Sequence, residues 1–178
     1  QGENAGYAHS SNSGDYKIVL PYGKNYGFLA ETAGFVSISD NIDLTQIAEY
    51  QEIERDLFLV PLEVGETVRL NNIFFDFGKY QLRPGSNPEL ERVYKLLAEN
   101  PNLSIEIGGH TDDVGPSEEN TVLSLNRAGA VKKYLIDKGI PDNKVKARGF
   151  GETKPLAPNS NESNRQLNRR VEFTILKK

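Results

Sequence analysis

The spacing of apolar residues switches between two periods along the chain, and this alternation constrains the fold most. Ile73, Phe75 and Phe77 alternate with polar or flanking residues, which places them on one face of a strand. Leu90, Val93, Tyr94 and Leu97 then recur at helical spacing. Ser86 and Asn87 offer a cap, Pro88 suits a first turn, Glu89 follows three after Ser86, and Asn100-Pro101 ends the segment. Leu103, Ile105 and Ile107 return to period two. After a polar loop from Gly109 to Asn120, a long helix is expected from about Glu118 to Lys138. Its inward face is Leu125, Ala128, Val131 and Leu135, and Gly139 and Pro141 stop it. Short strands follow at Val145–Ala147 and Val171–Ile175. The order β-α-β-α-β-β predicts an α/β two-layer sandwich in which two helices cover one face of a mixed sheet.

Upstream the pattern is different. Residues 1–15 are small and polar, and read as a flexible end or loop. Short runs at Tyr16–Leu20, Tyr26–Ala30, Phe35–Ser39 and Asp56–Leu62 predict a small antiparallel β module over residues 16–65, with residues 41–50 ambiguous. So few strands make a thin sheet with little core of its own, as if a β-sandwich had lost its first strands. Leu62–Leu70 reads as a connector or an edge strand, and the α/β domain is expected over residues 66–178.

Composition narrows the function. The net charge of -4 opposes nucleic-acid binding. No cysteine is present, and His9 and His110 are the two histidines, so zinc fingers, iron–sulfur sites, disulfides and cysteine nucleophiles are excluded. Apolar runs of four or five residues are far shorter than the roughly 18 that a membrane helix needs. The lack of methionine, even at position 1, leads us to expect a processed or excised piece, with any signal peptide or lipid-modified cysteine outside it.

The chemistry concentrates in Gly108-Gly109-His110-Thr111-Asp112-Asp113-Val114-Gly115, which leaves a strand and leads into the helix carrying Arg127. A carboxylate receives an ammonium, and a guanidinium grips a carboxylate with two hydrogen bonds. Asp112 and Arg127 could therefore clamp a zwitterion, or form an ordinary salt bridge between loop and helix. Asp112, Asp113, Glu118 and Glu119 also permit an acid–base pair acting on a glycan. Against this, no nucleophile elbow, metalloprotease helix or phosphate-binding glycine loop is present, and the acids suit a helix N-terminus. His110 has no serine or cysteine partner in the pattern, and the acid spacing does not fit a calcium loop.

IEIGGHTDDVG, Asn120, LSLNRAGAVKKYL, VKARGFGETKPLAPN and NRRVEF occur here in that order. Together they resemble the OmpA-like C-terminal domain, and FFDFGKYQLRP resembles its first strand. The resemblance covers about residues 66–178. It implies that family's two-layer α/β sandwich and noncovalent, non-enzymatic binding of peptidoglycan through the diamino acid of the stem peptide, usually diaminopimelate, without a cofactor. It also implies that Asp112 and Arg127 are the principal ligands. Thr111, Asn120, Leu123 and Ser124 match positions that line or shape the pocket, Phe77 and Gly78 match the end of the first strand, and Arg169 and Arg170 match either ligands or partners of nearby acids. At Gly78 the family often carries Asp or Asn, so side-chain recognition is lost at that position and only backbone groups remain.

SGDYKIVLPYGKNYGFLAETAGF resembles the later strands of a carboxypeptidase-regulatory-like sandwich. The two modules in this order resemble large Bacteroidetes envelope lipoproteins, including accessory proteins of type IX secretion. This implies a periplasmic protein attached to the outer membrane through regions outside this piece, with outer-membrane or secretion-complex partners. The alternative is an envelope assembly module with weak or no wall binding, using Tyr22, Tyr26 and Phe28 as exposed anchors.

Overall fold

The computed structural model describes residues 6–178. The part of the expected flexible end that falls on residues 1–5 lies outside the described residues. The chain divides into two compact units. One comprises the described residues up to Phe28 together with Asp40–Asp56, and the other Leu29–Ser39 with Leu57–Lys178.

Before residue 66 the strands are few and short. β1 (Asn25–Ala30) is as expected, whereas the run from Phe35 divides into β2 (Phe35–Val36) and β3 (Ile38–Asp43), with β3 pairing β1. Tyr16–Leu20, expected as a strand, joins no ladder. Side chains fasten it instead: Tyr16 Oη donates to the Arg55 carbonyl at 2.8 Å, and Lys17 pairs with Glu52 at 3.0 Å. Of the strand expected over Asp56–Leu62, only β4 (Val60–Pro61) forms, antiparallel to β2. Pro61 has no N–H to extend the ladder.

The second unit contains a four-stranded sheet built from β5 (Thr67–Leu70), β6 (Ser104–His110), β7 (Val145–Gly151) and β8 (Val171–Lys177), in the order β5-β8-β6-β7. β6 and β7 run parallel, while β8 is antiparallel to both β5 and β6. The sheet is therefore mixed, as expected. α1 (Asn87–Glu99) contributes buried Leu90, Val93 and Leu97 to the core. α2 (Ser117–Asp137) contributes Ala128, Val131 and Leu135. Leu125, expected on that inward face, is 46% exposed, because the buried stripe of α2 passes through Ser124 instead.

Two further corrections matter for the site. The run Ile73–Phe77 is not a strand. The edge strand is β5, which ends at Leu70, and beyond Asn71 the chain leaves the sheet as a loop held by a single antiparallel bridge between Phe75 and Leu82. Ser86 precedes α1 but makes no side-chain cap. Its hydroxyl instead accepts the Phe74 N–H at 2.8 Å and fixes that loop. The sequence reading also lacks α3 (Glu162–Asn168), a short helix with no apolar stripe, capped by Asn161 Oδ1 accepting the Asn164 N–H at 2.8 Å.

Candidate functional site

The loop carrying Asp112 starts where β6 is held from both sides. His110 N–H donates to the Arg170 carbonyl at 3.0 Å, and Thr111 N–H donates to the Gly151 carbonyl at 2.9 Å. Asp112 thus emerges at the C-terminal edge of the sheet, a common position for ligand contacts in α/β folds. Asn120 Nδ2 holds the loop from α2 by donating to the Asp112 carbonyl at 3.3 Å and the Val114 carbonyl at 3.3 Å, and to Glu152 Oε2 at 2.8 Å.

α2 lies unusually close to the sheet because glycines face it. A Cβ on Gly109 would sit 2.1 Å from the Ser124 carbonyl oxygen, and one on Gly149 would sit 2.6 Å from the Leu125 nitrogen. Ser124 Oγ completes the junction, accepting Gly151 N–H at 2.9 Å and donating to the Thr121 carbonyl at 2.8 Å. This contact fixes the turn of α2 on which Arg127 stands.

Arg127 is half-buried. Its Nε donates to the Lys79 carbonyl at 3.1 Å, and its guanidinium lies 5.1 Å from the centre of the Phe75 ring. Among the described residues its two Nη groups have no hydrogen-bond partner. Burial, with Arg169 nearby, lowers its pKa from the ordinary arginine value, and Asp112 partly offsets this. It nevertheless stays protonated near neutrality. Asp112 does not salt-bridge Arg127. Its Oδ2 meets Arg169 Nη1 at 2.6 Å, and its Oδ1 accepts the Val114 N–H at 3.2 Å. The loop-to-helix ion pair considered from sequence is therefore a loop-to-α3 pair.

Arg169 also bonds Glu162 and Gln166. Burial opposes its charge, but the hydrogen bonds to Glu162 and Asp112 outweigh burial and raise its pKa overall. Arg170 is buried, with Nε donating to Glu172 Oε2 at 2.9 Å and Nη1 to the Lys154 carbonyl at 3.2 Å. Asn168, which precedes both arginines in the chain, is buried and holds the 156–157 loop: its Oδ1 accepts Leu156 and Ala157 N–H groups at 2.8 and 3.1 Å. Glu172 in turn accepts from His110 Nε2 at 2.9 Å. Burial would raise the Glu172 carboxyl, but the bond and charge of His110 and those of Arg170 dominate and hold it down at about 2. His110 is buried and stacked on Phe150, a structural position rather than a base facing a substrate.

A small pocket of about 80 Å³ opens among Arg69, Phe74, Phe75, Arg127, Arg169 and Arg170, with Leu70, Asn71, Ile73, Gln166 and Val171 completing the wall. The structure thus brings Arg127 and Arg170 to one pocket and ties Asp112 to it through Arg169. Thr111 is buried beside Asp112, with Oγ1 unpartnered among the described residues. Asn120 and Ser124 are occupied in holding the loop and α2, and Leu123 is half-buried on α2. Phe77 is 97% exposed and does not line the pocket, where Phe74 and Phe75 stand instead. Gly78 has φ +66°, in a turn closed by Lys79 N–H to the Asp76 carbonyl at 3.0 Å. Glycine adopts that left-handed conformation without strain, and Asn and Asp tolerate it better than other side chains. Arg69, on β5, is the charged pocket residue that the sequence reading missed. Its only signal is a single basic residue in an edge-strand pattern.

The OmpA family model matches residues 74–169, more than half the chain. The chain belongs to the OmpA family. It is 36% identical over 113 residues to outer membrane porin F of Pseudomonas fluorescens, covering 63% of this chain and 35% of the porin. It therefore spans about a third of that relative's length. Among solved structures, a MotB-like protein from Desulfovibrio vulgaris matches at TM-score 0.57 and 35% identity, covering 63% of this chain and 73% of that one. The peptidoglycan-associated lipoprotein from Burkholderia pseudomallei matches at TM-score 0.55 and 32% identity, covering 58% and 87%. The mixed sheet with helices packed on it is thus the fold of OmpA-family domains. No helix among the described residues is long and apolar enough to cross a membrane, and no cluster of His, Asp or Glu among them could hold a metal ion.

Proposed function

We propose that this OmpA-family protein binds peptidoglycan noncovalently, through the diamino acid of the stem peptide, and anchors an envelope assembly to the cell wall. The observation that carries the reading is that Arg127 reaches a small pocket rich in guanidinium groups, to which Asp112 is tied through Arg169. An ionised carboxylate has room for about four hydrogen bonds, and Asp112 Oδ2 and Oδ1 spend one each on Arg169 and Val114. The remaining lone pairs suit the ligand's ammonium. Arg127 keeps its Nη pair free for the ligand's carboxylate, and its Nε bond and the Phe75 ring hold the plane of the guanidinium. The chemistry is recognition without bond breaking. The likeness to a peptidoglycan-associated lipoprotein supports it, and the likeness to an outer membrane porin supports a periplasmic site facing the wall. Diaminopimelate as the diamino acid, attachment to the outer membrane and service to a secretion complex are the finer parts of the same proposal.

Cosedimentation with purified sacculi tests it. Enrichment over an unrelated acidic protein, abolished by Arg127→Ala, is the expected result. Equal recovery of both proteins overturns the reading. Release of reducing sugars from the same sacculi would instead favour catalysis by the acidic loop.

A further inference from the structure

We infer that Arg69 is a second arm of the carboxylate clamp, and that the pocket it shares with Arg127 selects an ionised carboxylate at the free end of the diamino acid over the corresponding carboxamide. The inference rests on the peptide-binding reading and deepens it.

Arg69 stands on edge strand β5 directly across from Glu172 of β8. That register ordinarily gives a cross-strand ion pair. Here the pair is absent, because both oxygens of Glu172 are already engaged: Oε1 by His110 and Oε2 by Arg170, each at 2.9 Å. Arg69 consequently makes no ion pair among the described residues, and its buried Nε has no hydrogen-bond partner. Burial and the neighbouring Arg170 disfavour its charge, with Glu172 only partly compensating. A half-buried guanidinium left in this state is costly unless something anionic completes it.

The pocket offers that completion. Four guanidinium groups reach it and no carboxylate lines it. Arg169 and Arg170 are neutralised from behind by Asp112, Glu162 and Glu172. Arg69 and Arg127 are the two without a carboxylate. At about 80 Å³ the space is far smaller than the roughly 300 Å³ or more of a pocket that encloses a whole small ligand, and suits a single functional group. An ionised carboxylate meets donors on both sides. A carboxamide brings no charge and turns its own N–H₂ donors against guanidinium donors.

The test is titration calorimetry of the full chain with a diamino-acid tetrapeptide and with the same peptide amidated at that carboxylate. Charge-assisted hydrogen bonds of this kind predict a preference for the free acid on the order of tenfold to a hundredfold. Arg69→Gln should weaken the free acid and leave the amide nearly unchanged, so that the preference shrinks. Arg69→Lys, which keeps the charge without the fork, should fall between. The Nε–Hε resonance of Arg69 should move on adding the free acid and stay still with the amide, a readout that needs no variant to fold. A wild-type chain that binds both peptides equally, or an Arg69→Gln variant with native circular dichroism and an unchanged preference, overturns this inference alone. A wild-type chain that binds neither peptide overturns the peptide-binding reading and the inference with it.

Discussion

Arg127 and Asp112 stand on different supports, so under the proposed function their substitutions should separate binding from stability differently. Removing Arg127 costs one backbone hydrogen bond to Lys79 and the contact with Phe75, and also relieves a partly desolvated charge. Arg127→Ala should therefore change stability by no more than about 1 kcal/mol while weakening stem-peptide binding by about 2–5 kcal/mol. Titration calorimetry and urea denaturation of the same samples check both halves. Asp112→Asn keeps the acceptor for Val114 but leaves Arg169 with less counter-charge, so it should lose binding and some stability together. Glu172 sets a pH dependence. Its folded pKa of about 2 lies below its ordinary value of 4.5. Its stabilising contribution is complete above pH 4.5 and is lost as pH falls through about 2, an effect of up to roughly 3 kcal/mol. Urea midpoints at pH 6 and pH 2.5 should differ more for the parent chain than for Glu172→Gln. The placing of Asp112 and Arg127 on one continuous strand–loop–helix segment was legible as motifs, because they lie 15 positions apart. Arg69 and the ion pair of Asp112 with Arg169 were not, since both depend on strands and helices brought together from more than 50 residues away.

The element that governs the site is α2, and its height above the sheet is set by missing side chains. A Cβ on Gly109 has no room, since backbone of α2 occupies its position at 2.1 Å. The helix cannot yield locally without breaking the Ser124 bond to Gly151. Gly109→Ala should destabilise by several kcal/mol, comparable to or above the roughly 1–3 kcal/mol of ordinary overpacking, and should carry Arg127 out of register. Gly129 is the internal control. It lies within α2 with nothing within 4 Å of a built Cβ, so Gly129→Ala should stabilise by about 0.5–1 kcal/mol through helix propensity. Thermal melts of the two variants should shift in opposite directions, and a melt of Gly109→Ala at the parent value would contradict the close-packing account. The strong periodicities that announced α1, β6, α2, β7 and β8 reflect burial against one core, which is why those elements are found where sequence put them. Ile73–Phe77 misled for the same reason in reverse. Ile73 and Phe75 do pack against the core, but from a loop, where period two arises without a ladder.

At the scale of the chain, the composition shift near residues 62–70 and the compact units do not coincide. Residues 29–39 belong with the α/β body, and they do so through specific groups. Val36 is fully buried in its core, and Leu62 joins it from beyond β4. The Ser39 hydroxyl meets buried Glu89 at 2.5 Å, and Arg92, paired with Glu89 at 2.6 Å, also donates to the Ser37 carbonyl. A fragment of residues 66–178 would lose all of these. It would expose the faces that Val36 and Leu62 cover, each worth about 1.5–3 kcal/mol when fully buried. It would also leave the Glu89–Arg92 pair without the polar groups that complete it, a costly state for buried charge. We therefore expect this fragment to fold but to be less stable than the full chain by about 3–6 kcal/mol. A chain starting at residue 29, with residues 40–56 replaced by a short Gly/Ser linker, should keep most of the parent stability, because the excised segment belongs to the other unit. Urea denaturation followed by circular dichroism distinguishes the two designs. Equal stability of the 66–178 fragment and the full chain would mean that residues 29–39 contribute nothing to the α/β body. Sacculus binding by both designs is expected to persist, since every residue of the arginine pocket lies between Arg69 and Val171.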